Sequence, residues 1–125
     1  MQSHELWLKI ATEDLKAAYG LLDLELYSAV TYHCQQSAEK ALKAYLAFKK
    51  NPIIKSHDLP QLIEYCMKFD KTFETILDAA DILNPLSTRF RYPSEFEVPD
   101  FEDAYEVIKL AESVLTFASK KITVK

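Results

Sequence analysis

Apolar positions recur along this chain at spacings of three and four rather than two. Leu8, Ala11, Leu15, Ala18 and Leu22 fall on one face of a helix predicted over 3–23. Ser3 suits its N-cap and Glu5 its first turn. A second helix is predicted over 28–49, with Val30, Cys34, Ala38, Ala41, Tyr45 and Phe48 as its apolar stripe, widened by Leu42 and Leu46. His33, Gln36, Lys40 and Lys43 form a separate polar stripe on it. Asn51-Pro52 stops this helix, because the residue before a proline avoids the α region.

Asp58 is the predicted N-cap of a third helix, buried through Leu59, Leu62, Ile63, Cys66 and Phe69, with Pro60 tolerated in its first turn. A fourth helix over 71–83 uses Phe73, Ile76, Leu77 and Ala80. The stretch 84–99, NPLSTRFRYPSEFEVP, loses the period and carries prolines at 85, 93 and 99. A loop of that length inside a compact domain is often functional. Asp100 then caps a last helix with Phe101, Ala104, Ile108, Ala111, Leu115, Ala118 and Ile122 in a heptad-like stripe. The pattern predicts an all-α, up-and-down bundle of about five helices forming one domain over 1–125.

Composition supports this. One glycine in 125 residues disfavours a sheet built on tight turns. Apolar residues at 49% and charged residues at 27% give a globular balance. A net charge of −4 argues against a general nucleic-acid coat protein and leaves room for a local basic patch. Cys34 and Cys66 sit among apolar residues and read as reduced core cysteines. Without a signal peptide or a membrane-length apolar run, the expected setting is the cytoplasm, with no membrane partner.

No metal and no cofactor are expected: zinc-type ligand spacings are missing, and the lone Gly20 rules out a glycine-rich phosphate loop. The candidate ligand contacts are Arg89, Arg91 and Tyr92, since a guanidinium fork suits phosphate and a tyrosine ring stacks on a base. His57, His33, Lys40 and Lys43 are candidate contributors. The plain alternatives are that the arginines hold the loop down, His57 orients a helix start, His33 edges the core, and the lysines are solvated or paired with Glu39, Glu13 or Asp14.

Residues 32–46, YHCQQSAEKALKAYL, resemble a hallmark of the HEPN (higher eukaryotes and prokaryotes nucleotide-binding) domain family. Residues 7–18, WLKIATEDLKAA, look like its first helix, and Ser56-His57-Asp58-Leu59 like its lead-in to the third. Residues 89–94, RFRYPS, resemble the arginine-tyrosine-proline loop of one branch. The resemblance implies a helical bundle, frequently a homodimer, and often a toxin–antitoxin partnership with a separately encoded minimal nucleotidyltransferase. RNase members carry an arginine followed after four to six residues by a histidine. Here the histidines are His4, His33 and His57, none after Arg89 or Arg91. The expectation is a non-catalytic nucleotide- or RNA-phosphate-binding module. The alternatives are a ribonuclease toxin with a degenerate site and a purely structural interaction protein. A surplus of apolar residues beside the main stripes, Trp7, Leu21, Tyr45 and Leu46, also suggests a homodimer.

Overall fold

The computed structural model describes residues 2–87 and 98–123. Its α-helices are α1 (Ser3–Asp23), α2 (Tyr27–Phe48), α3 (Leu59–Met67), α4 (Leu77–Leu83) and α5 (Phe101–Thr123). No strand occurs among the described residues. The long helices lie within a residue of their expected bounds, as the strength of their periodicity would suggest.

The middle helix, α2, is the axis of the bundle and is buried nearly all round between Cys34 and Leu46. Small side chains permit this: Cys34, Ser37, Ala38, Ala41 and Ala44 let neighbours approach closely. The Ser37 hydroxyl donates to the Ala11 carbonyl of α1 at 2.8 Å. Pairs Ser37/Ala11, His33/Asp14 and Phe48/His4 show α1 running antiparallel to α2. Phe101 meets Tyr27 at one end of α5, and Phe117 reaches Tyr45 through Phe73 toward the other, so α5 runs in the direction of α2. After α2 the chain doubles back without helix over 51–58 before α3 begins.

Several local expectations change. Asp58 stands at the N-cap of α3 but its side chain makes no cap bond. Asn84 caps instead: its Oδ1 accepts from Leu59 N at 2.8 Å, and its Nδ2 donates to Asp58 Oδ1 at 2.7 Å. The cap is thus supplied from 25 residues downstream. Asn84→Ala is expected to lower stability by ~1–2 kcal/mol, a typical cap loss, read as a lower urea midpoint.

The fourth predicted helix is divided. Lys71–Ile76 form a 3₁₀ turn, and the α-helix starts only at Leu77. Asp70 causes the tight start. Its Oδ1 accepts from Thr72 N at 2.9 Å, and its Oδ2 takes Lys121 of α5 at 2.9 Å. Bonds from Thr72, then Lys121, hold the pKa of its carboxyl at about 2. Phe69 and Phe101, both expected inside, are 44% and 49% exposed. Tyr45 and Leu46, offered as surplus for a dimer, are core residues of the single chain, while Trp7 and Leu21 are half-buried against that core.

Asp100 does cap α5. It accepts from Asp103 N at 2.8 Å, while Asp103 accepts from Asp100 N at 3.0 Å, a reciprocal capping box. Burial pushes the Cys34 thiol up to about 12, and raises Cys66 likewise, so neither is poised as a thiolate.

Candidate functional site

The polar residues of α2 split between two arrangements. Glu39 is the hub of the first. It is 2% exposed, and one oxygen, Oε2, takes both Lys43 Nζ at 3.1 Å and His57 Nδ1 at 3.0 Å. The i,i+4 spacing puts Lys43 one turn along the same face. The returning segment before α3 brings His57 over it. Burial pushes the Glu39 carboxyl up, but the hydrogen bonds and charges of His57 and Lys43 outweigh this and hold it below its ordinary value. Its other oxygen, Oε1, is buried with no partner.

An ionised carboxylate only accepts, so His57 must carry its proton on Nδ1. In the singly protonated ring Nε2 is then the acceptor nitrogen, and the side chain is 76% exposed. A buried carboxylate thus orients a solvent-facing imidazole.

The second arrangement is a relay of amides. Lys40 Nζ donates to Gln36 Oε1 at 2.7 Å, Gln36 Nε2 to Gln35 Oε1 at 2.7 Å, and Gln35 Nε2 to the His57 carbonyl at 3.4 Å. Lys40 therefore pairs with an amide and not with an acid among the described residues. Both arrangements converge on His57, one at its ring and one at its backbone. His33 does not join them. Its Nδ1 meets Asp14 of α1 at 3.0 Å, half-buried between the helices. Of the seven candidates, His57, Lys40 and Lys43 are brought into one cluster. Arg89, Arg91 and Tyr92 lie outside the described residues.

Sequence reasoning treated Glu39 only as an ion-pair partner. The signal available was Glu39-x-x-x-Lys43 in a stretch where Ala38, Ala41, Leu42, Ala44, Tyr45 and Leu46 are apolar, which marks a buried pair. No group of three or more His, Cys, Asp or Glu among the described residues is placed to hold a metal. No helix among them is long and apolar enough to cross a membrane.

The family model of the HEPN domain matches residues 4–122 of this helical bundle. The chain belongs to the HEPN family. It is 32% identical to "Putative toxin MJ1304" of Methanocaldococcus jannaschii over 126 aligned positions, covering 89% of this chain and 82% of that protein. The crystal structure of TT1696 from Thermus thermophilus superposes with a TM-score of 0.87 at 26% identity, covering 97% of this chain and 99% of that one. ST0689, described as an archaeal HEPN homologue, superposes at 0.79 with 27% identity, covering 98% and 100%.

Proposed function

We propose that the chain is the nucleotide- or RNA-phosphate-binding HEPN module of a toxin–antitoxin-like pair. In this reading it is a cytoplasmic homodimer, non-catalytic, and acts with a separately encoded minimal nucleotidyltransferase. The observation that carries the reading is likeness to a protein named as a toxin over most of both chains. Lys40, Lys43 and His57 are proposed to contribute from one cluster, and Arg89, Arg91 and Tyr92 are the proposed ligand contacts. One arginine is proposed to anchor its segment and the other to face ligand, so the two are expected to differ when truncated.

The test is a set of thermal melts of wild type, Arg89→Ala and Arg91→Ala, with and without nucleotides or short RNA. One variant is expected to melt lower with its ligand response intact. The other is expected to melt like wild type and lose the response. A wild-type melt that no nucleotide or RNA shifts sinks the binding role. Co-purification with the product of a neighbouring nucleotidyltransferase gene checks the partner.

One observation favours a second reading. The exposed His57, oriented by Glu39, has the geometry of a general base. A ribonuclease toxin would use it in place of the missing histidine. Incubation with total RNA separates the two: intact RNA supports the binding module, and cleavage lost in His57→Gln supports the ribonuclease.

A further inference from the structure

At the end of α2 the chain turns through Lys50, whose N–H donates to the Ala47 carbonyl while Asn51 N–H returns to Leu46. Lys50 has φ 57, the left-handed region where glycine is the usual residue. The segment that follows leaves a cleft of roughly 200 Å³ against the start of α1. Ser3, Trp7, Lys43, Lys50, Asn51 and Ile54 are among its walls, and no acid among the described residues lines it.

The two lysines are not equivalent. Lys43 is answered by Glu39 and lies 5.8 Å from the centre of the Trp7 ring. Lys50 has no acidic partner among the described residues. A non-glycine residue in the left-handed region costs ~1 kcal/mol relative to glycine. Glu25, at φ 60, shows that the chain accepts this cost at another helix end. Charge rather than strain therefore distinguishes this position: a cation with no acidic partner among the described residues stands beside an aromatic and aliphatic wall. A volume near 200 Å³ exceeds the ~150 Å³ that encloses benzene, so it holds one ring with a substituent.

We propose that this cleft binds a small planar molecule bearing one anionic group, with its ring against Trp7 and its carboxylate or phosphate at Lys50. The cleft shares Lys43 with the His57 cluster, but the two contacts proposed here, Trp7 and Lys50, lie outside that cluster and do not depend on the proposed nucleotide or RNA role. Trp7 is the chain's one tryptophan, so its fluorescence reports on the cleft directly.

Titration with phenyl phosphate, phenylacetate and neutral benzyl alcohol tests the site. A saturable change is expected with an anion, and binding about tenfold or more weaker with the alcohol, since 1.4 kcal/mol of lost charge interaction is tenfold. Response to phenyl phosphate alone, or to phenylacetate alone, supports the site and identifies its anion. Lys50→Gly is expected to weaken the anion about tenfold while the melting temperature holds or rises, and Lys50→Arg to restore binding. No saturable change with either anion, equal affinity for the alcohol, or unchanged affinity in Lys50→Gly overturns the proposal.

Discussion

Replacing Glu39 by alanine is expected to lower the unfolding free energy by ~3–5 kcal/mol, the usual cost of removing one partner from a buried ion pair. The side chain of Lys43 is only 10% exposed, so its ammonium would be left inside with no carboxylate. His57 contributes less to the loss, because its exposed ring can turn to water. Glu39→Gln should cost less, ~1–2 kcal/mol, since the amide oxygen still accepts from Lys43 and no cavity opens. Glu39→Leu combined with Lys43→Met should come close to wild type, because apolar replacement of a whole buried pair is often neutral. Urea unfolding at pH 7 measures all three. An alanine variant within ~0.5 kcal/mol of wild type would show that Lys43 escapes to solvent.

The same pair sets a pH dependence. Glu39 is held below its ordinary value of 4.5 in the folded chain. The folded state therefore binds this proton less readily than the unfolded state. Its contribution is complete above the ordinary carboxylate range and is lost as pH falls through the folded value. Stability of wild type should drop in that acid window, and Glu39→Gln should flatten the drop.

The three long helices were legible because each has enough turns for its period to show. The opening of α5 was legible as well, because Asp100 and Asp103 cap each other within four residues of chain. The α3 cap was not, because Asn84 reaches it from a distant part of the sequence. Nor was the tight 71–76 turn, whose start is fixed by Asp70 holding Thr72 and Lys121 together. At the site, the Glu39–Lys43 spacing was readable, but the meeting with His57 depends on where the segment after α2 returns. The Trp7–Lys50 cleft was hidden for the same reason. Its walls come from three segments whose proximity no local pattern records.

Phe73→Ala is expected to cost ~3–5 kcal/mol, the range for emptying a buried phenylalanine site. Phe73 is fully buried, with Tyr45 of α2 at 4.4 Å and Phe117 of α5 at 5.0 Å between ring centres. It lies in a 3₁₀ turn, whose hydrogen bonds are poorer than those of an α-helix, so the ring does much of the anchoring. Phe73→Leu keeps most of the volume and should cost less, ~1–1.5 kcal/mol. Asp70, three residues earlier, ties the same turn to α5 through Lys121. If the turn is held as one unit, the two anchors are coupled. Once Phe73 is gone, Asp70→Asn should then cost less than it does in wild type. A double-mutant cycle by urea unfolding should return a coupling of ~0.5 kcal/mol or more. Additivity within ~0.3 kcal/mol would mean instead that the ring and the ion pair hold α5 independently.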